Sequence, residues 1–218
     1  MLTLHAFGRV HPAVHGETRD LRIQWALEEM GLAYTVRGWD HTAGETKGPE
    51  FSALSPFNQL PLLTDGDLTL SETGAILIHL AEKSGRLIPA GPAGRAHIIQ
   101  WTLAALSTVE GPIQPLKLID LGAMGEPGEV RTFLTGWTRR VLGNLDRRLE
   151  GRDWIAADDF TIADLLLASV LRQLRHTELM DAYSNVKAFY ARAMARPAWK
   201  RTLDLYAERL GADRAAIE

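Results

Sequence analysis

Cysteine is missing altogether from this chain of 218 residues. Its absence excludes disulfides, thiolate metal sites and a cysteine nucleophile of the protein's own. Any thiol chemistry must use a thiol carried in by a ligand. Long apolar runs are missing too: no stretch approaches the roughly 20 apolar residues that a membrane-spanning helix needs. The opening residues, MLTLHAFGRV, lack the shape of a signal peptide, and the expectation is a soluble cytoplasmic protein. Charge of one sign is also scarce. Lys and Arg number 24 against 27 Asp and Glu, a net charge of −3. That gives no general electrostatic case for nucleic acid or an anionic membrane as partner. Repeats and low-complexity tracts are likewise not found.

What is present suffices for a substantial core, since 46% of residues are hydrophobic and the length allows one large domain or two small ones. Residues 2–7, LTLHAF, alternate as a strand does. Residues 8–17 are rich in Gly, Pro and His and read as a loop. TRDLRIQWALEEMG has helical spacing and a natural stop at Gly31. LAYTVRGW is a second strand, and the polar stretch 40–49 is a loop or irregular helix. Asp65-Gly66 between apolar runs signals a hairpin. Residues 73–83 then have helical spacing. Residues 84–94, SGRLIPAGPAG, read as a linker, and no convincing strand follows. Helices are expected at 95–110, interrupted by Gly111-Pro112 and Pro115, and at 130–149 with Phe133, Trp137, Val141 and Leu145 on one face. Further helices are expected at 162–174, 186–194 and 199–210, with LGAMGEPGE as a loop. Trp101, Trp137 and Trp199 are expected in the core.

FNQLPLLTDGDLTLSET poses a specific question, because Pro61 falls inside an apolar run. Proline cannot donate to a sheet ladder, so Pro61 must lie at a strand's start or edge. The bond before it is either an ordinary trans bond or a cis one, which in X-Pro costs only about 0.5–1 kcal/mol over trans. A cis bond would leave the Leu60 backbone to pair with an extended ligand. Ser71, Glu72 and Thr73 stand at a helix start, as caps or as part of an anion site. One peptide-like ligand could touch both Leu60 and that helix start.

PEFSALSPFNQLPLLTDGDLTLSETGAILIHLAEKSGRLIP resembles the N-terminal domain of glutathione transferases. TRDLRIQWALEEMGLAY resembles the first helix of that family, and DDFTIADLLLAS its buried C-terminal helix. The resemblance covers nearly the whole chain in order. It implies a thioredoxin-like α/β domain with a mixed four-stranded sheet over residues 1–83, a linker at 84–94, and an all-α domain at 95–218 that forms the second-substrate pocket. It also implies a homodimer. Pro61 would be cis, and the Leu60 backbone would pair with the cysteinyl unit of glutathione, the co-substrate. Glu72 and Thr73 would hold its γ-glutamyl end; Gln59 and Lys47 would reach its glycyl end. Thr161 and Asp164 have the shape of a capping box, with Asp in place of Glu, and a role in folding.

The family activates the thiol with Tyr, Ser or Cys after the first strand, and this chain has none of them before Tyr34. Alignment on TRDLRIQW puts Thr18 at the catalytic Ser position, with Arg19 adding positive charge; the alternative is that Thr18 merely caps the first helix. His11 and His15 are four residues apart, but no third ligand accompanies them, so no metal is expected. The activity implied is conjugation of glutathione to a small hydrophobic electrophile. The alternative is a non-catalytic binding module of the same fold, and a glutathione-dependent isomerase or reductive enzyme is a more distant one.

Overall fold

The computed structural model describes residues 1–124 and 128–218. The expected loop LGAMGEPGE falls partly on residues 125–127, outside the described residues. In chain order, β1 (Leu2–Arg9) leads through a 3-10 turn at Pro12–Val14 to α1 (Asp20–Met30). Gly31 ends α1 with φ 61°, the left-handed conformation that only glycine adopts cheaply. Then come β2 (Tyr34–Asp40), a turn at Glu45–Lys47 and α2 (Pro49–Leu54). β3 (Leu62–Asp65) and β4 (Leu68–Leu70) form the hairpin expected at Asp65-Gly66, and α3 (Thr73–Ser84) follows. The rest is helical: α4 (Pro92–Ala104), a π-helical turn at Ala105–Val109, α5 (Glu110–Asp120), α6 (Glu129–Leu149), α7 (Ile162–Leu171), α8 (Ser184–Met194) and α9 (Pro197–Leu210). No strand follows Leu70 among the described residues.

The chain divides into two compact units. One holds residues Met1–Arg86 together with Arg196–Glu218; the other is Leu87–Ala195. The change of unit at residue 87 falls inside the stretch read as a linker. The last segment, by contrast, groups with the sheet and not with the other helices.

In the first unit the strand order is β2-β1-β3-β4, with β1 parallel to β2 and antiparallel to β3. Ile23 and Leu27 of α1, Ile76, Leu77 and Leu80 of α3, and Leu4 and Leu63 of the sheet are fully buried. A second cluster joins Trp39, Phe51, Leu60 and Leu62. Phe51 comes from α2, a helix hidden in the sequence by its short length and polar flanks. Gly8 and Gly38 cross closely where β1 and β2 change register: a Cβ on Gly8 would lie 2.9 Å from the Gly38 carbonyl carbon.

α9 carries the buried Trp199, Leu203 and Tyr206. Trp199 packs on Trp25 of α1 at a centroid distance of 4.9 Å. Ion pairs tie the same two helices: Arg196 to Glu29, Arg201 to Glu28 and Arg209 to Asp20.

In the second unit α7 is buried along nearly its whole length. Three sequence expectations change here. The prolines at 112 and 115 do not interrupt the chain's helical course; α5 runs through both, directly after the π turn. The buried stripe of α6 is Leu134, Thr138, Val141, Leu142, Leu145 and Leu149, and Phe133 is 65% exposed. Trp101 and Trp137 are half-buried, and of the three expected core tryptophans only Trp199 is buried.

Candidate active site

A cleft in the first unit is lined by Arg19, Ser55, Phe57, Gln59, Leu60, Pro61, Ser71, Glu72 and Thr73. Seven of these nine were singled out from the sequence or belong to the triplet at the α3 start. Three segments meet there: the turn before α1, the loop between α2 and β3, and the start of α3. The enclosed space is about 30 Å3, room for one or two waters. A guest as large as a tripeptide would therefore lie across the mouth of the cleft, with one side open to solvent.

The loop between α2 and β3 supplies a backbone edge. The Leu60-Pro61 bond is cis. The β1–β3 ladder ends at the His5–Leu62 pair, so Leu60 lies beyond the sheet's own pairing. Among the described residues, no hydrogen bond engages the Leu60 backbone. The residue just before it is held firmly. The buried Ser55 hydroxyl accepts from the Gln59 N–H at 2.9 Å and donates to the Gln59 carbonyl at 3.1 Å. Leu60 is thus presented as a free donor and acceptor on a fixed loop. Its side chain is anchored against Trp39, Phe51 and Leu62.

The start of α3 supplies charge and unpaired donors. Thr73 is the first helical residue and Glu72 the cap, and no side chain caps the helix. The Ser71–Thr73 triplet therefore does not act as the helix's own cap. Glu72 has φ 67°, a conformation that costs a non-glycine residue about 1–3 kcal/mol and clusters at ligand sites. Its carboxylate is exposed and makes no ion pair among the described residues. The Thr73 hydroxyl makes no hydrogen bond there either. An exposed acid beside free helix N–H groups can receive an ammonium and a carboxylate together, which is the pattern of an amino acid's main-chain end.

Arg19 lines the cleft directly and is the cap residue of α1. Thr18 does not line it and is not the helix cap; its hydroxyl sits 2.9 Å from the Tyr206 hydroxyl. Lys47, at the end of the Glu45–Lys47 turn, is exposed and outside the cleft's lining. Phe57 and Ser55 were not singled out from the sequence. Phe57 is 69% exposed, and only the three-dimensional turn of the loop brings it to the rim. Among the described residues no group of three or more His, Asp or Glu could hold a metal, and His11 instead accepts the Ala13 N–H in its own turn.

Thr161 and Asp164 form a capping box at the start of α7. The Asp164 carboxylate accepts from the Ile155 N–H at 2.7 Å, the Thr161 N–H at 2.9 Å and the Thr161 hydroxyl at 2.7 Å. Burial nevertheless pushes its pKa up to about 6, against those three bonds.

Residues 13–82 match the family model for the glutathione S-transferase N-terminal domain, and residues 134–197 the model for the C-terminal domain. The chain belongs to the glutathione S-transferase family. The matches fall on the segment with the cleft and on the one with the Thr161–Asp164 box. Among the family's curated members, glutathione S-transferase 1 of Triticum aestivum is 32% identical, covering 92% of this chain and 93% of that protein. The disulfide-bond oxidoreductase YfcG of Escherichia coli (strain K12) is 28% identical, with 84% and 88% covered. A solved glutathione transferase from Burkholderia graminis, with two glutathione molecules bound per subunit, is 32% identical with a TM-score of 0.81, covering 93% of this chain and 87% of that one. Among the described residues, no helix is long and apolar enough to cross a membrane.

Proposed function

We propose that this protein conjugates glutathione to a small hydrophobic electrophile. The observation that carries the reading is the cleft's set of unmet partners: the Leu60 backbone, the Glu72 carboxylate and the Thr73 hydroxyl, all open on one wall. Glutathione's cysteinyl unit pairs with Leu60 as a short extra strand. Its γ-glutamyl ammonium meets Glu72, and the α-carboxylate meets Thr73 and the α3 N-terminus. Gln59, and Lys47 from outside the lining, serve the glycyl end. The bound glutathione in the Burkholderia graminis relative supports this ligand. A cytoplasmic location, where glutathione is kept reduced, and a homodimer accompany the reading.

The chemistry then needs a thiolate. A free thiol with pKa near 8.5 is only a few per cent ionised at neutral pH. Arg19 supplies positive charge at the cleft and Thr18, its neighbour in the chain outside the lining, a hydrogen-bond donor, and together they favour the charged sulfur. The thiolate attacks the electrophilic carbon. A carbon–sulfur bond forms as the leaving group departs with the electron pair of its own bond, and the thiol's proton has already gone to solvent. An activated aryl halide tests this directly: the account expects glutathione-dependent conjugation that saturates in both substrates. Glutathione affinity without any conjugation would point to the non-catalytic module instead.

The relationship to YfcG favours a second reading, reduction of disulfides by glutathione. One glutathione thiolate attacks a substrate disulfide, giving a mixed disulfide and a free thiolate. A second glutathione thiolate then attacks the glutathione sulfur of the mixed disulfide, so that glutathione disulfide forms and the other half of the substrate leaves as a thiolate. Because the chain has no cysteine, both thiols come from glutathione. Turnover of a small dialkyl disulfide at rates above those for aryl halides would select this reading.

A further inference from the structure

Tyr206 of α9 and Thr18 lie 188 residues apart in the chain, yet their hydroxyl oxygens are 2.9 Å apart. The Tyr206 oxygen also accepts the Gly16 N–H at 3.1 Å. Tyr206 is fully buried, so its hydroxyl hydrogen must find an acceptor inside the protein; leaving it unmet costs about 1–3 kcal/mol. Among the described residues the acceptor in reach is Thr18 Oγ1. The direction of the bond follows: Gly16 donates to Tyr206, and Tyr206 donates to Thr18. Thr18, its lone pair used by Tyr206, keeps its own hydrogen for a third group.

We infer that Tyr206 is a positioning residue for thiol activation, holding the Thr18 hydroxyl as an acceptor so that Thr18 gives its hydrogen to the sulfur of bound glutathione. The inference rests on the conjugation reading above. Each donation in the series from Gly16 to Tyr206 to Thr18 polarises the next, so the last donor is stronger than an isolated threonine. Threonine's branched Cβ restricts χ1, and the Tyr206 contact selects the rotamer in which the oxygen faces α9. The charged groups facing Tyr206 are Asp20 of α1 and Arg209 of α9, the latter 5.2 Å from the ring centroid. These two pair with each other at 2.7 Å and so fix the helix that carries the tyrosine. Burial raises the Tyr206 pKa to about 12, which keeps it a donor at any working pH.

The test is Tyr206→Phe in the full-length protein. The pKa of glutathione's thiol on the enzyme is read from thiolate ultraviolet absorbance, alongside the pH profile of kcat/KM with an activated aryl halide. The bound thiol's pKa is expected to rise by about one unit, which at a pH below both pKa values leaves about tenfold less thiolate and lowers kcat/KM about tenfold. The dissociation constant of glutathione is expected to stay within about twofold, because Leu60, Glu72 and Thr73 are untouched. Thr18→Val should raise the thiol pKa at least as far, and the double variant no further than Thr18→Val alone. Should Tyr206→Phe not fold, uniform 3-fluorotyrosine is the substitute. A more acidic phenol is a stronger donor, so the bound thiol's pKa should fall in the wild type and stay fixed in Thr18→Val. A thiol pKa unmoved by Tyr206→Phe, or unmoved by fluorination, overturns the relay. A wild type that binds no glutathione, or binds it with an ordinary thiol pKa, overturns the conjugation reading as well.

Discussion

Two helix starts in this protein are built in opposite ways. α7 begins with Thr161 and Asp164, which satisfy each other and also bind the Ile155 N–H, all of it buried. α3 begins with Glu72 in a left-handed conformation and no side-chain cap at all. Every helix start has about four N–H groups without internal partners. At α7 the chain supplies the partners, and the result is stability. At α3 they are left beside an exposed carboxylate and a free Leu60 backbone, and the result is a place for a ligand. The same local sequence pattern, a hydroxyl and an acid near a helix start, therefore serves folding in one case and recognition in the other. What separates the two is whether the acid comes three residues after the cap, where it can fold back, or sits at the cap itself.

Substitutions at the two starts should break this symmetry in opposite directions. The largest effect is expected from Asp164→Ala. It strands three buried donors, and the loss of stability should be about 3–5 kcal/mol by denaturant unfolding. The pH dependence of the same site comes next. The folded pKa of about 6 lies above the ordinary 3.8, so between these values the folded state binds the extra proton. Asp164's contribution to stability should then rise as pH falls from about 6 to 4, by at most about 3 kcal/mol, and be level above 6. Unfolding of wild type and Asp164→Asn across that window reads this difference, and parallel curves would contradict it. A smaller loss, about 1–2 kcal/mol, is expected from Ser55→Ala, which frees the Gln59 backbone and should also weaken glutathione binding several-fold by calorimetry. The smallest is Glu72→Gly. Glycine accepts the positive φ, so the variant should be about 1 kcal/mol more stable than wild type while losing its hold on glutathione.

The sequence made the α3 start and the Leu60-Pro61 edge visible because their residues are chemically special. Proline removes a donor, Asp-Gly makes a tight turn, and hydroxyls beside an acid at a helix start mark either a cap or an anion site. Leu2–Arg9, Asp20–Met30 and Ile162–Leu171 were likewise legible from alternation, helical spacing and a stop or cap. What the sequence hid depends on partners distant in the chain. Pro49–Leu54 is too short to show a period, and its burial rests on one residue, Phe51. α5 runs through two prolines that local rules take as breaks, and the π turn at Ala105–Val109 before it has no sequence mark. Arg196–Glu218 joins the sheet's unit through Trp199, Tyr206 and three ion pairs to α1, none of which leaves a local mark. The position of Thr18 was legible, but its partner was not: Tyr206 lies 188 residues away.

The most direct test of the open helix start is calorimetric titration of glutathione into wild type and Glu72→Ala, each paired with an unfolding curve. The account predicts measurable binding by the wild type, a loss of at least about thirtyfold in Glu72→Ala, equivalent to about 2 kcal/mol, and no loss of folding stability. Equal affinity in the two proteins, or a variant that loses binding only because it unfolds, would contradict it.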